Sequence, residues 1–206
     1  MKRIISVLLL LLIAFPMTAQ SSEKQPMESL QGPLDEVISI LKDPQYQGDS
    51  QKKLQREKIW NIIRDVFDFE RISLLALGKY RKKFNDNQLK EFTDVFGELL
   101  EDTYLNKIQA EYKNEKVDYL EQKTKSDRAL VKTKVMRENV GIPVDYSLWL
   151  NNGAWRVYDI KVEGVSLVKN YRNQFQKILS EKSPAELIEQ VKDKVKEQKK
   201  GETRAG

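Results

Sequence analysis

The hydrophobic period of this chain changes twice, and those two changes bound its fold. Up to Ile108 apolar residues recur three and four apart, from Val117 to Val162 they recur every second residue, and after Ser166 the helical spacing returns. A period of 3.6 suits an amphipathic helix and a period of two a half-buried strand, and a segment patterned for one cannot bury its apolar face as the other. The chain therefore reads as helices, then strands, then helices, the α+β class.

Four runs alternate in the central block: residues 117–121, 129–136, 144–150 and 154–162. Lys125-Ser126-Asp127 makes the first turn, Gly141-Ile142-Pro143 ends the second connection, and Asn151-Asn152-Gly153 makes a tight hairpin. Strands joined so closely pair antiparallel, so a four-stranded meander is expected. Both faces of residues 155–162 carry apolar side chains, which leaves that strand's inward face open.

Before the sheet, Leu30, Leu34, Val37, Ile38 and Leu41 mark a first helix that stops at Asp43-Pro44. A second starts near Ser50 and carries Leu54, Ile59, Ile62, Ile63 and Val66. A short third holds Phe69, Ile72, Leu75 and Ala76 and ends at Gly78. The fourth is the strongest: Asn85 and Gln88 stand in capping-box positions before a stripe from Leu89 to Ile108. After the sheet, Ser166 caps a helix with Val168, Tyr171, Phe175 and Leu179 inward, and Gly164 before it marks a backbone position that a side chain would strain. Ser183-Pro184-Ala185-Glu186 opens a last helix. Five or six helices exceed what one small sheet needs as cover. They are expected mainly on one side of it, and either a solid core or an enclosed apolar pocket satisfies the pattern.

At the N-terminus, Met1-Lys2-Arg3 precedes an apolar run over residues 4–15, then Pro16 and small or polar residues. That order reads as a secretory signal peptide over 1–21. The run is too short for a comfortable membrane span. One domain is expected over 22–198 and a flexible tail over 199–206. The chain has no Cys, so in an oxidising compartment the fold must hold without disulfides. Net charge is +5, with Lys and Glu interspersed. No basic cluster outside the tail suggests a nucleic-acid partner. There is no His, which removes the commonest general base and metal ligand, so no metal or other cofactor is expected. Asp145, Asp159, Glu163 and Lys161 are the only local acid–base candidates, and cross-strand charge pairing explains them without catalysis. No enzyme activity is expected.

Several segments together carry a resemblance. They are Phe67-Asp68-Phe69-Glu70-Arg71-Ile72, Ala76-Leu77-Gly78-Lys79-Tyr80, Gln88-Leu89-Lys90-Glu91-Phe92 and Leu99-Leu100-Glu101-Asp102-Thr103-Tyr104, then Trp155-Arg156-Val157-Tyr158-Asp159-Ile160 and Glu163-Gly164-Val165-Ser166-Leu167. In this order they resemble the MlaC family, toluene-tolerance auxiliary components of bacterial ABC transporters, over about residues 28–195. Tyr80 stands where Trp is common in the family, and Asp86-Asn87 replaces a Thr-Pro. The resemblance implies a periplasmic, monomeric carrier of phospholipid. Its partners would be an outer-membrane lipid complex and an inner-membrane ABC transporter with an MCE-domain ring. It also favours the pocket over the solid core. The expected lining is Phe67, Phe69, Leu75, Phe92, Phe96, Leu99, Val131, Val135, Val144, Tyr146 and Leu148. A hopanoid or sterol-like cargo, or an exported protein-binding adaptor without cargo, are the alternatives.

Overall fold

The computed structural model describes residues 25–46 and 48–205, so the expected signal peptide at 1–21 lies outside the described residues. Helix α1 (Pro26–Lys42) opens on proline, and the Glu28 carboxylate accepts from the Gln25 N–H at 3.2 Å. It ends before Pro44, after which a 3-10 turn (Pro44–Tyr46) leads to α2 (Asp49–Val66). The chain runs extended through Phe67, and α3 (Phe69–Leu77) is capped by Asp68, which accepts from the Arg71 N–H at 2.8 Å. A 3-10 segment (Gly78–Lys83) precedes α4 (Asp86–Glu111), whose capping box pairs Asn85 with Gln88 in both directions.

Five strands follow: β1 (Lys116–Lys125), β2 (Arg128–Arg137), β3 (Val140–Asn151), β4 (Ala154–Val162) and β5 (Val165–Ser166). They lie in sequence order, each antiparallel to the next. The expected meander is present with one short strand added. Glu163 and Gly164, at φ 50° and 81°, form a two-residue turn that folds Val165 back onto Val162. Positive φ at both central positions is the geometry that reverses a twisted strand pair, and glycine reaches it without Cβ strain. Helix α5 (Leu167–Leu179) starts directly from β5, and α6 (Pro184–Ala205) completes the chain.

Two local expectations differ from the structure. Gly141-Ile142-Pro143 lies inside β3, not in a turn; β2 and β3 turn at Glu138-Asn139 and pair from Arg137 and Val140 onward. Pro143 is tolerated because its carbonyl faces the end of the β4 ladder, where it accepts from the Glu163 N–H at 3.0 Å and no amide donor is needed. In β4, the pairing slips between Ser147 and Leu148, which oppose Asp159 and Val157, so Tyr158 is an extra residue. This bulge moves the inward set from Trp155 and Val157 to Ile160 and Val162, opposite Leu150, Leu148, Tyr146 and Val144. The two apolar faces of this strand are one face shifted by a bulge. A similar slip in β1 leaves Leu120 exposed.

Three apolar clusters hold the molecule. The sheet's inner face, with Val131, Val144, Tyr146, Leu148 and Val157, packs on Leu30 of α1 and Val66 of α2. A purely helical core joins α3, α4, α5 and α6. At its centre Phe92, Phe96, Tyr171 and Phe175 stack or meet edge to face, with ring centroids 4.9–5.6 Å apart. A smaller cluster joins Val37 and Leu41 of α1 to Ile59 of α2 and Leu105 of α4.

Candidate apolar binding cavity

The three clusters meet without merging. Between them lies a cavity of about 460 Å³, walled by Ile72 and Leu100 from the helical core, Tyr146 from the sheet, and Val37 and Leu105 from the small cluster. Such a volume is ordinary for a small-molecule site. Leu34, Trp60 and Ile63 close one wall from α1 and α2; Phe67 from the α2–α3 connection and Phe69 from the start of α3 close another. The cavity exists because α4 is long. Its 26 residues extend roughly 39 Å at 1.5 Å per residue. The helix packs in the helical core as far as Leu100, which also reaches the cavity, and beyond it presents Tyr104, Leu105 and Ile108 to the cavity.

One side is open. Tyr104, Ile108, Val162 and Val165 line the cavity and are 37%, 36%, 45% and 66% exposed, an apolar rim that core packing does not account for. Asp159, Ser166 and Asn170 stand together on the β4–β5–α5 side, and the other polar side-chain atoms of the wall belong to the aromatic side chains of Trp60, Tyr104 and Tyr146. Asp159 accepts from the Ser166 hydroxyl at 2.6 Å and the Val168 N–H at 3.0 Å. Its carboxylate therefore ties β4 to the start of α5. Burial pushes the Tyr146 phenol up to about 12, and burial also raises Tyr104, which lies beside Tyr171. These phenols stay protonated at neutral pH, so their contribution to the wall is neutral. Asp145 and Lys161 oppose each other across β3 and β4. Among the described residues no cluster of potential metal ligands occurs. The arrangement can enclose an apolar chain and leave a polar end near solvent.

A family model described as MlaC protein matches residues 31–193. The chain belongs to the MlaC family. Among curated relatives, the toluene tolerance protein ttg2D of Pseudomonas putida is 30% identical over 171 residues, covering 82% of this chain and 79% of that protein. The intermembrane phospholipid transport system binding protein MlaC of Haemophilus influenzae is 25% identical over 195 residues, 91% of each chain. Among solved structures, a phospholipid-binding protein from Ralstonia solanacearum in complex with a phospholipid superposes with a TM-score of 0.76 at 23% identity, over 85% of this chain and 99% of that one. At that identity the likeness concerns the fold.

In this MlaC family member the structure brings Phe67, Phe69 and Tyr146, of the expected lining residues, onto the cavity wall. Phe92, Phe96 and Leu99 lie in the helical core, with Leu75 packed against it. Val131, Val144 and Leu148 lie in the sheet core, with Val135 packed against it. Most of the wall comes from residues that sequence reasoning placed on apolar stripes without assigning to a pocket, including Leu34, Val37, Ile63 and Tyr104. Trp60 and Asn170 were not singled out. The legible signal was the length of the α4 stripe, which exceeds what one packing partner covers.

Proposed function

We propose that this protein is a phospholipid carrier of the periplasm, taking the acyl part of its cargo into the cavity between α1, α2, α4 and the β3–β4 face, and passing it between membrane-bound complexes. The observation that carries this reading is the cavity itself, apolar on its walls and rimmed by exposed apolar side chains at its opening. Family membership supports it, as do the names of the relatives, one an intermembrane phospholipid transport system binding protein. Burial of about ten methylenes contributes roughly 8 kcal/mol, a micromolar affinity with no headgroup contact. No catalytic group is needed for that task, and no helix among the described residues is long and apolar enough to cross a membrane. The partners this reading gives it are an inner-membrane ABC transporter with an MCE-domain ring and an outer-membrane lipid complex, visited by the monomer in turn.

Organic extraction of the protein purified from its own host, followed by mass spectrometry, tests the cargo. Diacyl phospholipid at near-stoichiometric amount is the expected result. A polycyclic lipid in its place, or no lipid at all, overturns the reading in favour of a hopanoid-type carrier or a cargo-free adaptor respectively.

A further inference from the structure

Phe67 and Phe69 line a second concavity besides the apolar cavity, a cleft of about 560 Å³ of very different character. The cleft is built from the end of α2, the first turn of α3 and the ends of β3 and β4. Trp149 of β3 occupies it, with Arg128 of β2 opposite on one side and Arg156 of β4 opposite on the other. Arg71 reaches over from α3 and lays its guanidinium on the Trp149 ring, 3.7 Å from the centroid, with Tyr158 5.4 Å away. Asp68 fixes this stack: one oxygen accepts from the Trp149 Nε1–H at 2.9 Å, and the other from the Arg71 backbone N–H. Its carboxylate is engaged in holding the ring and starting the helix.

Three arginines, Arg64, Arg71 and Arg156, line this one cleft, and none of them forms an ion pair among the described residues. Arg64 donates to the Asn61 side chain. Arg71 Nε is buried with no hydrogen-bond partner. That nitrogen is covered, so the Arg71 donors left for a ligand in the cleft are its terminal Nη groups, which make no hydrogen bond among the described residues either. A guanidinium is planar, and one fixed over an indole holds its edge N–H groups in a set place, the arrangement for paired contacts to two oxygens of one tetrahedral anion. Asp65 and Glu70, both exposed, also line the cleft. A phosphate that carries an amine therefore suits its charges better than a polyanion.

We propose that this cleft is a phosphate-group site, with Arg71 and Arg156 as its principal ligands and Arg64 at its side. The phosphate belongs either to a lipid headgroup whose chain occupies the adjoining cavity or to a free phosphate compound. The test uses lipid-free protein and follows the Trp149 indole N–H signal by NMR, assigned with Trp149→Phe. Inorganic phosphate and glycerophosphoethanolamine are titrated against chloride at matched ionic strength. Saturable shifts are expected with both. Arg156→Gln should raise the half-saturating concentration about tenfold, the size of a lost charge-assisted contact. Arg71→Lys, which keeps the charge and loses the planar fork, should weaken binding as well. Repeating the phosphate titration on protein loaded with phosphatidylethanolamine separates the sources. Loss of the shift assigns the site to the headgroup, and an unchanged titration assigns it to a free phosphate compound. No saturable shift in the lipid-free protein, or equal half-saturation in wild type, Arg156→Gln and Arg71→Lys, overturns the proposal. Because the primary readout needs no lipid, its failure and the failure of the carrier reading are separate results.

Discussion

Ser166 shows how much of the residue scale is local chemistry. Its hydroxyl oxygen accepts from the Lys169 N–H at 3.0 Å and its proton goes to Asp159. Ser166→Ala should lower stability to urea by about 1 kcal/mol, the ordinary worth of a helix cap. It should leave extracted lipid unchanged, although the residue touches the cavity. Unchanged stability with lost lipid would make the hydroxyl a ligand contact. Tyr146 makes a second prediction. Its phenol titrates near 12 in the fold against 10 in the unfolded chain, because burial disfavours the phenolate. Between those values the native state holds more protons than the unfolded state, so stability falls as pH rises. The contribution is complete below pH 10 and lost by about 12, a difference on the order of 3 kcal/mol. Urea titrations at pH 9, 10 and 11 should show wild type losing more stability than Tyr146→Phe. A parallel decline would place the alkaline sensitivity in Tyr104, Tyr171 and Tyr119, which burial also raises. Caps and turns of this kind were legible in the sequence, because a Ser or Asn bonds a backbone group three residues away wherever the chain goes.

Elements were legible too, but their partners were not. The α4 stripe runs unbroken from Leu89 to Ile108, yet its two halves face different neighbours. Periodicity marks which side of a helix is apolar and says nothing of what stands opposite. Phe92, Phe96 and Leu99 therefore looked the same as Tyr104 and Ile108, and only tertiary packing puts the first three in the helical core and the last two on the cavity wall, with Leu100 in both. Two substitutions should display the difference. Phe96→Ala removes a ring at the centre of the helical core and should cost about 3–5 kcal/mol by denaturant titration. Ile63→Trp fills space at the cavity wall. It should cut lipid transfer to acceptor vesicles several-fold while the lipid-free protein keeps its melting temperature. Loss of folding in the second variant with transfer intact in its folded fraction would place Ile63 in the core and not on the wall. The fourth strand taught a related lesson. Alternation assigns faces only while the count stays at two, and the extra residue at Tyr158 resets it.

At the scale of the molecule, an internal cavity is a cost that the empty protein bears, since its walls lack partner atoms. A ligand that fills it binds the folded state alone. Loaded protein should therefore melt higher than protein stripped of lipid, by the equivalent of about 2.7 kcal/mol at one hundred times the dissociation constant. Calorimetry of the two forms checks this, and coincident melting curves would mean that cargo does not occupy the interior. The periods of the sequence determined the α+β class, the order of elements, the antiparallel meander and most helix boundaries, because each follows from bonds and contacts among near neighbours. The segments that resemble the MlaC family pointed to the same fold. Three separate cores with a void at their meeting point, and Arg71 lying on Trp149, join residues far apart in the chain. Those were decided only when the tertiary structure set the distances between elements, which no local pattern encodes.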